Sequence, residues 1–316
     1  MFVSSALRDT AAQALADGWL VAFPTETVYG LGADAENAEA VARIYEVKGR
    51  PADHPLIVHV SSGLLIDAWA VNIPTYAHQL AESLWPGPMT LILERSSRAA
   101  DFITGGQNTV GLRVPEEKQA LALLAAFEKL GGKGVAAPSA NRFGKVSPTT
   151  AKAVEEELSP FLGARDIILE GEPSHVGIES TIIDCTGSAP RILRPGAVTP
   201  SMIENVTGLR LNAEGPTVRV SGSLESHYSP RATVILDGEP APGDGMIALG
   251  FIPTPAGVVR IAAPETTLEY ANQLYAALRK ADELGLERVV ALSPDADEIS
   301  VAIVDRLKRA SFSSDH

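Results

Sequence analysis

Short apolar runs that end in polar loops recur through the first two thirds of the chain. The first extends from Trp19 to Phe23, stops at Pro24 and passes into a loop that carries the hydroxyl groups of Thr25 and Thr27. Apolar runs bounded by turn-forming residues predict strands. The same pattern predicts further strands at 56–60, 91–93, 109–114, 134–137, 167–169, 181–184 and 191–193. Polar loops at strand ends are where α/β proteins usually bind ligands.

Helical spacing of apolar positions fills several intervals between these strands. It predicts helices at 4–17, 39–47, 64–69, 74–84 and 116–130. The segment 147–150 resembles a helix start, with Ser147 as the cap and Pro148 in the first turn. From 199 to about 219 the pattern weakens. Alternation of strands and helices predicts an α/β fold.

A new rhythm follows the segment 221–231, whose Gly, Ser and Pro residues are typical of a linker. Strands are predicted at 233–236, 246–249, 258–261 and 288–292. An amphipathic helix carries Leu268, Leu274 and Leu278 on one face, and a last helix is predicted near 299–307. We therefore predict a larger domain at 1–218, a linker at 219–231 and a small α/β domain at 232–316.

Length and charge limit the kinds of partner. A chain of 316 residues that is 45% hydrophobic suits two domains with sizeable cores. The formal net charge of −13 disfavours general affinity for nucleic-acid backbones, which depends on Lys and Arg. A binding site for an anion must therefore be a local cluster of cations in an acidic chain.

Several features indicate a soluble, cytoplasmic protein. No apolar run approaches the roughly 20 residues of a membrane span, and the first residues lack the basic-then-apolar order of a signal peptide. A single cysteine, Cys185, cannot form an internal disulfide, which suits a reducing compartment. Within TIIDCTG it is expected to be a small core residue.

The polar loops combine cations, hydroxyls and amides, a mixture that suits a polyanion together with a small zwitterion. The cations are Lys48, Arg50, Arg113 and Arg194. Arg113 lies in an apolar run, so it needs an anionic partner or an exposed strand end. Phosphate-loop, dinucleotide, zinc-protease and paired-cysteine motifs are all missing from the sequence.

Each candidate also has a purely structural alternative. Lys48 and Arg50 could be ordinary cations at a helix C-terminus, and Thr25 and Thr27 could cap or turn the chain. Arg194 could lie on the surface. Other candidates could serve packing or turn formation: His59 as a core histidine, Ser139 and Asn141 in a turn, Ser180 at a strand edge, and His227 and Tyr228 in linker packing.

Taken together, the motifs resemble a known family. In order they are PTETVYGLG, KGRPADHPLIVH, WPGPMTLIL, TVGLRVP, PSAN with SPT, GIESTIID, ILRPG and HYSP, between about Gly18 and Arg231. This series resembles the YrdC-like threonylcarbamoyl-AMP synthases in their two-domain form. The resemblance implies a twisted mixed sheet with helices around a concave ligand cavity, followed by a small Rossmann-like C-terminal domain.

The resemblance also implies roles for individual residues. It implies that threonine is bound by Thr27, His59, Arg113, Ser139 and Ser180. It implies that ATP is bound by Lys48, Arg50, His54, Thr109, Ala137, Asn141, Ser147, Arg194 and Tyr228. Lys48 and Arg50 would act in catalysis by stabilising the triphosphate, and His227 with Tyr228 would fold back over the site. His54 occupies a position that is often Asn in such proteins.

The implied reaction joins L-threonine, bicarbonate or CO2, and ATP into threonylcarbamoyl-AMP, with release of pyrophosphate. Mg²⁺ is expected with the ATP rather than in a dedicated protein site. The product would pass to the machinery that modifies adenosine 37 of tRNA. The sequence leaves open whether the chain itself contacts tRNA weakly, and it predicts no membrane partner.

Two rival functions can be weighed at this point. A double-stranded RNA-binding protein on the same fold is disfavoured by the charge of −13, although a local basic concavity would be compatible with it. A hydrogenase-maturation protein that uses carbamoyl phosphate would carry zinc-finger segments, and one cysteine cannot build them.

Overall fold

A computed structural model describes residues 5–215, 217–222, 228–294 and 297–312. These residues form two β-sheets with helices packed against them, which confirms the predicted α/β class with a large mixed sheet and a smaller second sheet. Within the described part, no helix combines the length and the apolar character that crossing a membrane would need.

The larger sheet is mixed and contains nine strands. They are β1 (Val21–Phe23), β2 (Gly30–Asp34), β3 (Ile57–His59), β4 (Met89–Glu94), β5 (Thr109–Arg113), β6 (Val135–Ala136), β7 (Ile167–Ile168), β8 (Thr181–Asp184) and β9 (Arg191–Arg194). Their spatial order is β7-β1-β2-β6-β3-β5-β4-β8-β9. Strands β3 and β5 run parallel at the centre, in a register that sets His59 opposite Arg113. Two polar side chains therefore meet at the ends of otherwise apolar strands.

In the described ranges, eight α-helices accompany this sheet. They are α1 (Ser5–Ala16), α2 (Ala38–Lys48), α3 (Ile66–Trp69), α4 (Thr75–Leu84), α5 (Asp101–Thr104), α6 (Lys118–Lys129), α7 (Ala151–Leu158) and α8 (Pro200–Thr207). Helix α2 begins where the Asn37 side chain accepts hydrogen bonds from the Glu39 and Ala40 amides, and it ends at Gly49 in the left-handed conformation. These two caps fix the position of Lys48 at the last turn.

The smaller sheet is entirely parallel and has four strands. They are β10 (Thr233–Leu236), β11 (Gly245–Ile247), β12 (Val259–Ala262) and β13 (Arg288–Ala291), in the order β10-β13-β11-β12. Helices α9 (Thr267–Glu283) and α10 (Ser300–Ser311) pack with it.

The two sheets share a hydrophobic cluster. Val28, Val176 and Ile178 of the larger unit are buried together with residues of α9 and α10. Tyr228, from the linker, belongs to the same cluster. The small domain is therefore packed against the larger one through a common core.

Some sequence expectations differ from the structure. The sequence pattern predicts no strand at 30–34, where β2 forms, because the absence of side chains lets Phe23 and Val135 pack directly over Gly32. The weakly patterned stretch after 199 contains α8, capped by Thr199. Ser147 does not cap a helix: Thr150 caps α7, and the Ser147 hydroxyl donates to Glu179 instead. Cys185 is a buried free thiol, as expected.

Candidate active site

A narrow cavity lies over the centre of the large sheet, where several strands end in polar loops. All five residues predicted for threonine line it, as do four of those predicted for ATP: Thr27, His59, Arg113, Ser139, Ser180, Arg50, Ala137, Arg194 and Tyr228. Its volume is about 40 Å³. Ligand pockets usually measure roughly 300–1,000 Å³, so the cavity in this closed form is too small to hold a whole nucleotide.

Arg113 is held at the cavity wall by a buried carboxylate. Its Nη2 lies 2.7 Å from Glu26 Oε1, and Glu26 Oε2 accepts the amide of Glu116 at 3.0 Å. The two side chains are only 5% and 0% exposed. Arg113 thus has the anionic partner that its apolar strand demands. Its Nε has no hydrogen-bond partner among the described residues, so the guanidinium keeps a donor for a ligand.

His59 stands beside Arg113 as a neutral imidazole. Burial and the neighbouring Arg113 charge lower the pKa of His59 to about 3. Its ring meets Phe23 edge to face, with the centroids 5.9 Å apart. The Nδ1 atom is buried and lacks a hydrogen-bond partner within the described chain. Because an unpaired buried polar atom is costly, this atom is suited to a ligand that completes it.

The hydroxyl groups of the first loop are oriented by a short chain of hydrogen bonds. Thr25 Oγ1 donates to the carbonyl of Val28 at 2.6 Å and lies 2.8 Å from Thr27 Oγ1. Since Thr25 has one proton and gives it to Val28, Thr27 must be the donor in the second contact. The lone pairs of Thr27 therefore remain available to accept from a ligand.

Two further arginines approach the cavity from the side of the linker. Arg194 donates from Nε and Nη2 to the carbonyl of Ser180, at 3.1 and 2.9 Å, and from Nη1 to the carbonyl of Ser221. Arg50 donates from Nη2 to Pro55 O and to the Ser221 hydroxyl. Burial lowers the pKa of Arg50 to about 10, so it stays charged at neutral pH. Ser221 is thus the linker residue that contacts both cations.

Tyr228 closes the cavity on the same side. It is buried, adopts a positive φ of 62°, and stacks at 5.4 Å on the ring of Tyr275 from the C-terminal domain. Gly222 lies so near that a Cβ there would be 2.4 Å from the Tyr228 hydroxyl oxygen. His227, predicted to act with Tyr228, lies outside the described residues.

A second buried carboxylate, Glu179, lines the cavity next to Ser180. Its Oε1 accepts from Ser147 at 2.7 Å, and its Oε2 accepts from Tyr275 at 2.7 Å and from Arg306 Nε at 3.0 Å. Burial alone would raise the pKa of Glu179, but Arg306, Arg194 and these hydrogen bonds lower it to about 2. Glu179 is therefore ionised, and it joins both domains at the site.

Known proteins are similar to this chain over nearly its whole length. A family model described as telomere recombination, of the Sua5, YciO and YrdC proteins, matches residues 13–196, and one described as the threonylcarbamoyl-AMP synthase C-terminal domain matches residues 198–311. The threonylcarbamoyl-AMP synthase of Pyrococcus abyssi is 38% identical, over 95% of this chain and 93% of its own length. The Bacillus subtilis protein of that name is 37% identical, over 95% and 91%.

A solved structure agrees with the sequence matches. The crystal structure of Sua5 from Pyrococcus abyssi complexed with L-threonine superposes with a TM-score of 0.87 at 37% identity, covering 98% of this chain and 96% of that one. The chain belongs to the two-domain Sua5 family. The predicted family resemblance is thereby confirmed.

Five of the residues predicted to bind ATP in this Sua5-family chain do not line the closed cavity. Lys48 is buried behind the loop that follows β6, and its Nζ donates to the carbonyls of Ser139 and Asn141 at 2.6 and 2.5 Å. Burial, followed by the Arg50 charge, lowers the pKa of Lys48 well below its usual value. In this form Lys48 supports the loop that carries Ser139, and its predicted contact with phosphate stays a prediction.

The other four lie around the rim or within the walls. Asn141 donates from Nδ2 to the carbonyls of Arg142 and Lys145, and its buried Oδ1 has no partner in the described ranges. His54 meets Phe143 edge to face at 5.4 Å, and burial lowers the pKa of His54. Thr109 lines a crevice beside linker residues Arg219 and Ser221. Ser147 is wholly buried, and its hydroxyl donates to Glu179.

Sequence reasoning missed both carboxylates of the Sua5-type site. Glu26 sits between two threonines in PTETVYG, and Glu179 precedes Ser180 in GIESTIID. The need of Arg113 for an anionic partner was a usable signal for Glu26. For Glu179 the corresponding cation, Arg306, lies 127 residues later in a helix whose sequence reads as an ordinary amphipathic surface helix.

Proposed function

We propose that this chain makes L-threonylcarbamoyl-AMP from L-threonine, bicarbonate or CO2, and ATP, releasing pyrophosphate. The observation that carries the proposal is the group of three buried arginines around one cavity, in which Arg50 and Arg113 each keep an Nε without a partner among the described residues. Such donors suit a carboxylate on one side and phosphates on the other.

Threonine binding follows from the residues at the sheet centre. Arg113 pairs with the threonine carboxylate, for which a planar guanidinium has matching geometry. Thr27, with its lone pairs free, accepts from the amino group or the hydroxyl of the substrate. Neutral His59 contributes a hydrogen bond without adding a second positive charge beside Arg113. The neutral amine of bound threonine then adds through its nitrogen to the carbon of CO2, a C–O π bond opens, and the nitrogen releases a proton to water, which leaves a carbamate.

Adenylation is the second step and makes the enzyme a nucleotidyltransferase. A carbamate oxygen attacks the α-phosphorus of ATP, the bond to the β-phosphate oxygen breaks, and pyrophosphate leaves. Transfer at phosphorus depends on positioning and on stabilisation of charge. Arg50 and Arg194 are placed to do both. Lys48 is proposed to join them when the linker opens and ATP enters.

Mg²⁺ is proposed to arrive with ATP and to be held by its phosphates, where it would neutralise charge on the departing pyrophosphate. The donor set fits this arrangement. The two carboxylates at the site already serve other partners, Glu26 with Arg113 and Glu179 with Arg306, whereas the cations and hydroxyls around the cavity are complementary to phosphate oxygens.

The product is proposed to be passed, in the cytoplasm, to the machinery that modifies adenosine 37 of tRNA. Retention of a reactive acyl-adenylate until transfer is consistent with a cavity closed by the linker. A weak contact between this chain and tRNA stays an untested prediction.

The deciding experiment mixes the protein, ATP and Mg²⁺, and follows pyrophosphate release and AMP-containing product with and without threonine and bicarbonate. We expect both products only when both co-substrates are present. Pyrophosphate release that ignores threonine would contradict the proposal.

A further inference from the structure

The segment that leads to Ser180 contacts the C-terminal domain at several residues between Ser174 and Glu179. Asn272 of α9 donates from Nδ2 to the carbonyls of Ser174 and His175, each at 2.9 Å. Gly177 lies against the same helix turn, where a Cβ would be 2.4 Å from Asn272 Cα. Ile178 is fully buried in the core shared by the two domains. One wall of the cavity is therefore built on α9.

Glu179 receives two of its three side-chain hydrogen bonds from the C-terminal domain. Tyr275 of α9 and Arg306 of α10 both donate to Oε2, while Ser147 of the larger domain donates to Oε1. Arg306 is 0% exposed and also donates from Nη1 to the carbonyl of Pro195, directly after Arg194. The C-terminal domain thus contacts Glu179 and Pro195, which are next in sequence to the lining residues Ser180 and Arg194.

Arg306 also supports the residue that closes the cavity. Its guanidinium carbon lies 5.8 Å from the centre of the Tyr228 ring. The centre of the Tyr275 ring lies 5.4 Å from the centre of the same Tyr228 ring. A guanidinium at this distance from an aromatic ring is attractive. The same two side chains, Tyr275 and Arg306, therefore reach both Glu179 and Tyr228.

This arrangement determines how Ser147 can meet a ligand. A hydroxyl has one proton, and Ser147 gives it to Glu179. Toward a ligand Ser147 can then only accept, so it suits a ribose hydroxyl or an adenine amino group and not a phosphate oxygen. If Glu179 were released from Tyr275 and Arg306, Ser147 would lose this fixed orientation.

We propose that Tyr275 and Arg306 of the C-terminal domain are positioning residues for the adenylation reaction, acting through Glu179 to orient Ser147 and to hold the segment that carries Ser180. The inference rests on the proposed function, and it gives the C-terminal domain a part in catalysis beyond packing. Neither residue is required to touch substrate.

The test compares two phenylalanine variants on one helix. Tyr275→Phe removes only the hydroxyl that donates to Glu179. Tyr270→Phe is the matched control, because Tyr270 is equally buried on α9 but its hydroxyl donates to the carbonyl of Leu292 at 3.0 Å, within the C-terminal domain. We expect Tyr275→Phe to raise the KM for ATP and for threonine about 3- to 10-fold, with kcat changed less than KM, which corresponds to the loss of one hydrogen bond of ordinary net strength. Tyr270→Phe should leave both KM values within about two-fold.

Arg306→Lys provides a second variant that keeps the charge and loses the fork of donors. It should raise KM in the same direction as Tyr275→Phe. Hydrogen exchange supplies a readout that does not depend on turnover. The amides of the segment 174–180 should exchange faster in Tyr275→Phe than in the wild type, and at the wild-type rate in Tyr270→Phe.

The outcomes separate the two proposals. Wild-type protein without threonine-dependent pyrophosphate release would overturn the proposed function, whatever the variants do. Active wild-type protein in which Tyr275→Phe and Tyr270→Phe share the same KM values and the same exchange rates would overturn only the positioning role. A loss of thermal stability in Tyr275→Phe with unchanged KM values would also overturn it, because a structural role alone would then explain the contact.

Discussion

Two buried carboxylates, Glu179 in the cavity wall and Glu26 behind the lining residue Arg113, differ in where their cations come from. Glu26, in the loop between β1 and β2, pairs at 2.7 Å with Arg113 at the end of β5 in the large sheet. Glu179 pairs at 3.0 Å with Arg306, which lies in the last helix of the C-terminal domain. All four side chains are less than one tenth exposed. The two ion pairs are thus similar in burial and geometry, but the first lies within the larger domain and the second joins the two domains.

The difference shows which step of folding each ion pair depends on. The Glu26–Arg113 pair can form whenever the larger sheet forms, and it aims one arginine at a substrate. The Glu179–Arg306 pair forms only when the domains dock, so it makes the geometry of one wall depend on docking. Removing one member of a buried pair typically costs about 3–5 kcal/mol because the other charge is left unpaired. Either pair can therefore be broken with a measurable effect.

The largest effect is expected from Arg113→Ala. It removes the partner of the substrate carboxylate and leaves Glu26 as an unpaired buried charge. We expect the KM for threonine to rise by roughly 30-fold or more, corresponding to about 2–5 kcal/mol, with a smaller change in the KM for ATP. Threonine titrations of pyrophosphate release measure this.

Arg191→Ala is the matched control for Arg113→Ala. Arg191 also pairs with a buried carboxylate, Asp184, at 2.7 Å in the same sheet, but it does not line the cavity. It should lower thermal stability without changing the threonine KM. An unchanged threonine dependence in Arg113→Ala would refute the assignment of Arg113.

The next effect separates the two carboxylates directly. Glu26→Gln and Glu179→Gln each leave a buried arginine without its anion, and both should lower the free energy of unfolding by about 3–5 kcal/mol. Only Glu179→Gln should speed hydrogen exchange in α9 and α10, because only Glu179 contacts them. Equal exchange in the two variants would mean that docking does not depend on Glu179.

A smaller effect is expected from moving the domains apart without touching a charge. Gly177→Ala sets a Cβ against the α9 backbone at a φ of +78°. Gly208→Ala is the control, since its φ is +67° and nothing lies within 4 Å of the added carbon. Left-handed strain alone costs on the order of 1 kcal/mol, and Gly177→Ala should exceed the control by about 1–2 kcal/mol. Thermal denaturation with threonine KM values measures both; equal losses would indicate that the close approach is unimportant.

A pH dependence also distinguishes the two regions. His59 has a folded-state pKa of about 3 against 6.5 when unfolded, so the unfolded chain binds the extra proton and stability falls as pH drops from 6.5 toward 3. Glu179 has a pKa of about 2 against 4.5, so its contribution is present above pH 4.5 and is lost below it.

Urea midpoints between pH 4 and 7.5 test this order. His59→Gln should flatten the decline between pH 6.5 and 4.5, where the Glu179 contribution is still intact. The same substitution at exposed His78 serves as its control. A decline of equal slope in wild type and His59→Gln would contradict the buried neutral state of His59.

Much of the fold could be predicted from local pattern, because strands such as 181–184 and 233–236 are apolar runs with clear turn residues at both ends. The strand β2 could not, since Gly30 and Gly32 are read as loop residues until the side chains of Phe23 and Val135 are known to cover them. The cap at Ser147 failed for a related reason. Its hydroxyl serves a distant carboxylate, and local propensity contains no information on a partner 32 residues away.

The site shows the same limit more sharply. The polar residues at strand ends predicted where a ligand would bind. The register of β3 and β5 brings His59 and Arg113 together, as a shared site at those strand ends requires. The need of Arg113 for an anion was also predictable, but the choice of Glu26, 87 residues away, was not. Glu179 and its partners were out of reach because Tyr275 and Arg306 belong to a region whose pattern indicated only an independent domain.

The hydrophobic cluster shared by the two domains has a consequence for synthesis on the ribosome. Val176 and Ile178 emerge early, but Ile303, Leu307 and the buried Arg306 that complete their surroundings are more than a hundred residues downstream. At roughly 5–20 residues per second this interval lasts on the order of 10 s. The nascent larger domain must therefore wait, with an apolar face and an unpaired carboxylate exposed to water, until the last helix has left the exit tunnel.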